Sequence, residues 1–228
     1  MNGRVLNETW SVGRIDELLA GIRTEEGTYC PESSVLADDW EWLPGSARTS
    51  RTGVYLISGP AMQLAIVPPF APAPPYTDWK ADLRRTLSEP RRIGVVLLRL
   101  GYFAVGVVNN GAVEVARGGS RYVHGRHRAG GQSQRRWERN RDQWIEALFD
   151  RACSAWQESC GPLAGRLDHL ALGGDRIVLG RFLVHCPALA RLRDREIARR
   201  VPVDRPRSDA IEQARRAIWS SVVHRISA

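Results

Sequence analysis

The chain has 228 residues, 43% of them apolar and 25% charged, which suits one or two globular domains with a substantial core. No apolar run approaches the roughly 18 residues of a membrane-spanning helix, and residues 1–19 lack the basic patch and apolar stretch of a secretory signal. The formal net charge is +8 and Lys80 is the sole lysine. A GC-rich coding sequence explains that preference for arginine; it does not explain where the arginines cluster.

These features read as a cytoplasmic protein. Cys30, Cys153, Cys160 and Cys186 show no C-x-x-C spacing, so neither a zinc site nor a disulfide framework is expected. Cys153 and Cys160, on one predicted helix, read as small apolar packing groups.

In chain order, residues 11–23 predict a helix with Ser11 as N-cap and Ile15, Leu18, Leu19 and Ile22 on one face. Residues 53–67 predict two strands broken at Gly59-Pro60. "PPFAPAPP", residues 68–75, reads as a stiff linker and sets the expected boundary between an N-terminal region, 1–75, and a second domain, 76–228. A helix over "DWKADLRRTLSE" follows. Residues 92–119 predict three antiparallel strands with tight turns at Leu100-Gly101 and Asn109-Asn110-Gly111. Residues 121–128 could add a charged edge strand.

From 133 to 159 the period becomes helical, with Trp137, Trp144, Leu148, Ala152 and Trp156 on one stripe and a stop at Gly161-Pro162. "RLDHLALGG" predicts a buried strand, "RFLVHCPALARL" a strand end or a helix, and "REIARRVPV" a strand. Residues 208–226 predict a closing helix with Ser208 or Asp209 as N-cap and Ile211, Ala214, Ile218 and Val222 inward. The expected fold is α/β of the mixed-sheet (α+β) kind, with a small N-terminal extension.

The densest charge lies in residues 117–141. Arg117, Arg121, Arg126, Arg128, Arg135, Arg136, Arg139 and Arg141 stand there against one acid, Glu138, with His124 and His127 among them. A solvated helix face mixes signs; a one-signed patch around a glycine loop is what a phosphate backbone needs. Inside the patch lies Gly130-Gly131-Gln132. The triplet alone arises by chance in roughly one chain in twenty of this length, so its surroundings carry the reading. Glycines let the main chain enter a crowded site, and a backbone N–H there can donate to charge developing during ester cleavage. A glutamine amide is neutral and can position water. The residues nearby offer no catalytic triad, so RNA would supply much of the site.

"RYVHGRHRAGGQSQRRWERNRDQW" resembles the catalytic loop of the eukaryotic and archaeal peptide-release-factor superfamily. Within it the Vms-like (ANKZF-type) branch, which includes bacterial members and acts in ribosome-associated quality control, is the nearest in pattern. Tyr122 matches that branch's strand tyrosine, Gly130 and Gly131 its loop glycines, and Gln132 its glutamine. Gly131-Gln132-Ser133-Gln134 also fits the branch's Gly-x-x-Gln form, which makes Gln134 the alternative catalytic residue.

The resemblance implies an RNase H-like domain, with the loop entering the peptidyl-transferase centre of the large ribosomal subunit. It implies peptidyl-tRNA hydrolysis that rescues stalled ribosomes, with Arg121, Arg126, Arg128, Arg135, Arg136 and Arg139 on ribosomal RNA and tRNA. The expected partners exclude DNA and membranes, and no cofactor or metal is expected. A ribonuclease acting at the tRNA 3′ end, or a non-catalytic RNA-binding accessory protein, are the alternatives.

Overall fold

The computed structural model describes residues 5–22, 26–32, 40–59, 62–121 and 132–226, with the backbone alone for 132–138. In chain order the elements are β1 (Val5–Trp10), α1 (Val12–Gly21), β2 (Glu26–Cys30), α2 (Gly45–Arg48), β3 (Val54–Gly59), β4 (Met62–Val67), α3 (Trp79–Ser88) and β5 (Arg92–Arg99). There follow β6 (Tyr102–Asn109), β7 (Ala112–Ser120), α4 (Gln132–Ser159), β8 (His169–Gly174), α5 (Arg176–His185), α6 (Pro187–Ala190), α7 (Ala210–Ile218) and β9 (Ser221–Ile226). The fold is mixed α+β with two sheets. Two compact units divide the chain: Met1–Glu89 with Trp219–Ala228, and Pro90–Ile218.

The first unit has an antiparallel sheet in the order β1-β9-β4-β3-β2. Alternation along β3 and β4 sends Tyr55, Ile57, Leu64 and Ile66 to one face, where Ile15 and Leu19 of α1 and Leu83 and Leu87 of α3 cover them. Val54, Leu56 and Ala65 face the other way, against Trp40, Leu43 and Ala47. Ser11 caps α1 by accepting from the Arg14 N–H, and Asp78 caps α3 by accepting from the N–H groups of Lys80 and Ala81. This region is a compact unit with its own core and not the small extension expected.

The boundary also differs from the expected one at residue 75. The Pro-rich segment joins β4 to α3 inside the first unit. It is tied down there by buried Phe70, whose ring lies 5.8 Å from Trp219, and by a 2.8 Å bond from Arg85 Nη2 to the Ala73 carbonyl. The helix expected over 208–226 ends at Ile218, and residues 221–226 form β9 between β1 and β4. One apolar position, Val222, continues the helical period, but the β-branched run Val222-Val223 suits a strand equally and sheet pairing decides.

His224 on β9 is buried, and its Nδ1 lies 2.6 Å from Oδ1 of Asn7 on β1. Burial holds its pKa below the usual 6.5. The unfolded chain therefore binds a proton that the folded chain resists, and stability rises with pH between the folded and unfolded pKa values. Urea unfolding should show stability falling as the pH drops through about 6.5, the ordinary imidazole value, and His224→Gln should flatten that part of the profile. An equal slope in both proteins would contradict this.

The second unit has a sheet in the order β7-β6-β5-β8, with β5 and β8 parallel and the other pairs antiparallel. The expected meander and both turns are present. Asn110 and Gly111 have φ of 49° and 74°, the conformation that a two-residue hairpin turn requires. Helices α4 and α5 bury one face, through Ile145, Leu148, Phe149, Ala152 and Trp156 from α4 and Leu179, Phe182 and Leu183 from α5. Ala210, Ile211, Ala214 and Ile218 of α7 are buried, and Ile211 stands over Gly106 on β6.

Of the two readings of "RFLVHCPALARL", the helix holds, continuing into α6. "REIARRVPV" is not a regular strand. It runs beside β8 through two isolated bridges, with the N–H groups of Ile197 and Val201 donating to Leu170 and Leu172 at 2.9 Å. Cys153 is not a free packing thiol, as expected, but is bonded to Cys186, tying α4 to the end of α5. A separation of 33 residues in sequence hides that pairing from any local spacing rule.

Gly94 on β5 lets α4 approach the sheet. A Cβ there would sit 2.7 Å from Cη2 of Trp156 and 2.9 Å from a Leu167 methyl. Gly94→Ala should therefore lower stability by about 1–3 kcal/mol. An unchanged urea midpoint would show that Trp156 can yield at no cost.

Candidate catalytic loop and nucleic-acid interface

Two elements bracket the candidate loop. The end of β7 is fixed: the Arg121 N–H donates to the Gly101 carbonyl, and Arg151 Nη1 of α4 donates to the Ser120 carbonyl, both at 2.9 Å. The other bracket is α4, whose 28 residues span about 42 Å at 1.5 Å per residue. Among its described side chains the buried stripe starts at Ile145, and Trp144 is half-buried. Before that, Arg139, Asn140, Asp142 and Gln143 are exposed and Arg141 is half-buried. Core packing thus grips the C-terminal part of α4, and its described N-terminal side chains face outward with polar groups.

Gln132 is the first residue of α4. The first four N–H groups of a helix lack intrahelical partners and carry partial positive charge, so the start of α4 favours an anion or a developing oxyanion. Gln134, Arg135 and Arg136 follow in the first turns, and the side chains of 132–138 lie outside the described residues. Gly130, Gly131, Tyr122, His124, Arg126, His127 and Arg128, and with them residues 122–128 of the edge strand expected over 121–128, also lie outside them.

Arg117, Arg121 and Arg139 are exposed, and no described carboxylate pairs with them. Two described acids on α4 are engaged elsewhere: Asp142 lies 3.6 Å from Arg181 and Asp150 2.7 Å from His185. The described part of the arginine cluster therefore keeps its charge. Among the described residues, no three His, Cys, Asp or Glu side chains come together to hold a metal ion. Burial pushes the Cys160 thiol up to about 12, which leaves it protonated at neutral pH and a poor nucleophile. Sequence reasoning does not find Arg151, because nothing local marks an arginine that bonds a carbonyl 31 residues earlier.

Residues 91–224 match the family model described as Actinobacteria/chloroflexi VLRF1 release factor. Peptide chain release factor subunit 1 of Aeropyrum pernix is 28% identical over 115 residues, 50% of this chain and 27% of that protein. The chain thus spans about a quarter of that relative's length. The crystal structure of the archaeal translation termination factor aRF1 aligns at 16% identity and a TM-score of 0.41, covering 92% of this chain and 73% of the other. A second archaeal protein aligns at 15% identity and a TM-score of 0.37, covering 90% and 69%.

Proposed function

Because the chain belongs to the Actinobacteria/chloroflexi VLRF1 release factor family, we propose that it acts on the ribosome as a Vms-like peptidyl-tRNA hydrolase that frees stalled nascent chains. One observation carries this reading. Gln132, directly after Gly130-Gly131, heads the long helix α4, within an arginine-dense stretch inside the family-matching segment.

In this reading the arginines hold ribosomal RNA and the tRNA acceptor end, and the glycines let the loop reach the ester. A water oxygen attacks the ester carbonyl carbon. The bond from that carbon to the tRNA ribose oxygen breaks, and the ribose oxygen takes up a proton. The products are a peptide with a free carboxylate and an intact tRNA. The neutral Gln132 amide positions the water, and a loop N–H, that of Gly131, donates to the carbonyl oxygen as it gains charge. Residues 90–218 form the catalytic domain, and the family's peptidyl-tRNA and large-subunit RNA are the partners.

The test adds purified protein to ribosomes stalled with radiolabelled peptidyl-tRNA. Label should pass from the peptidyl-tRNA band to free peptide in a protein-dependent way. Peptidyl-tRNA that persists at saturating protein, on ribosomes of the source organism, would overturn the proposal.

A further inference from the structure

Helices α4 and α5 and the β5–β6 turn enclose a groove of about 190 Å³ that the hydrolase reading leaves unused. Ile145 and Phe149 lie at its base, both buried, while Leu100 and Ile177 line it with 38% and 77% of their surface in solvent. Arg141 and Arg181 also line it. Arg141 is half-buried, and among the described residues its Nε has no hydrogen-bond partner, a state that burial normally penalises. Arg181 is held loosely, 3.6 Å from Asp142, with N–H donors to spare. The exposed Asp175 carboxylate accepts from the N–H groups of Ile177 and Val178 and caps α5, which leaves Arg141 and Arg181 set against one acid in the lining.

We propose that this groove docks an acidic segment of a partner protein that carries aliphatic side chains. Its carboxylates would meet Arg141 and Arg181, and its aliphatic groups would cover Leu100 and Ile177. The outer face of α5 extends the surface. Ile177, Arg181 and Val184 recur at i, i+4 and i+7, and Val184 is 79% exposed. RNA fits less well. A phosphate backbone gains nothing from burying isoleucine and valine, and the aromatic ring in the groove, Phe149, is itself buried and offers no stacking platform. Arg141 lies nine residues along α4 from Gln132, about 14 Å at 1.5 Å per residue, so a docked segment would sit on the helix that carries the loop.

Selection of short random peptides displayed against the full chain tests this without presuming the partner's identity. The recovered peptides should combine Asp or Glu with Leu, Ile or Met. Synthetic copies should bind at least about tenfold more weakly to Ile177→Asp. Selection on Arg181→Glu should replace the acidic consensus with a basic one. The Ile177 side chain is largely exposed and that of Arg181 about half exposed, and unchanged thermal unfolding of each variant separates lost docking from lost folding. Peptides with no acidic and aliphatic signature, or binding indifferent to both variants, would overturn the proposal. So would displacement of the peptides by a ribosomal RNA fragment, which would assign the surface to nucleic acid. None of these readouts depends on peptide release, so failure here leaves the hydrolase reading untouched.

Discussion

Gln132→Ala should slow peptide release from stalled ribosomes by about 10²-fold or more, the size of effect that removing one positioned polar group from an acyl-transfer site produces. Ribosome affinity should stay within about twofold, because a neutral amide adds little to a grip made by charge. This split between rate and binding separates a catalytic loop from a gripping one. Gly131→Ala should also lose release if the loop backbone needs a conformation that a Cβ forbids. Gln134→Ala is the register control. Loss of release in Gln134→Ala but not in Gln132→Ala would make the Gly-x-x-Gln glutamine the catalytic one. Full activity in both would leave a protein that binds RNA without cutting the ester. Single-turnover release and a separate sedimentation binding assay, with each variant saturating, provide the two numbers.

Replacing Arg126, Arg128, Arg135 and Arg136 together by Ala should do the reverse, weakening ribosome binding and sparing the chemistry once the complex forms. Each lost phosphate contact removes about 0.7–0.9 from the slope of log affinity against log salt, so four contacts should flatten it by about 3. Between about 50 mM and 200 mM salt, the parent should lose affinity far more steeply than the variant. The described neighbours support the premise, since Arg117, Arg121 and Arg139 are exposed with no described carboxylate beside them. Identical salt slopes would show that the arginines are a solvated surface.

The parts of the fold legible in the sequence were those with a strong local period. The β5–β6–β7 meander follows from β-branched runs and from turn residues that accept positive φ, and the stop of α4 from Gly161-Pro162. What stayed hidden depends on contacts distant in sequence. Residues 221–226 became a central strand because β1 and β4 lie on either side of them, which no window around Val222 contains. The Pro-rich segment looked like a domain linker, but buried Phe70 and a bond from Arg85 hold it within one unit. Cys153 and Cys186 meet because α4 and α5 cover the same face of the sheet. At the candidate site, residue types and spacing singled out Gln132, and the structure adds its place as the first residue of α4. The tie from Arg151 to the end of β7, and the groove behind the helix, needed the fold.

The most direct measurement is the state of the tRNA after release. Ribosomes stalled with a defined nascent chain are treated with the protein, and the tRNA is recovered and offered an amino acid by its synthetase. Hydrolysis of the ester by the Gln132 loop leaves the 3′ end whole, so the recovered tRNA should charge as fully as untreated tRNA and the peptide should carry a free carboxylate. A tRNA that cannot be recharged, released with its terminal nucleotides still on the peptide, would contradict the account and make the protein a ribonuclease.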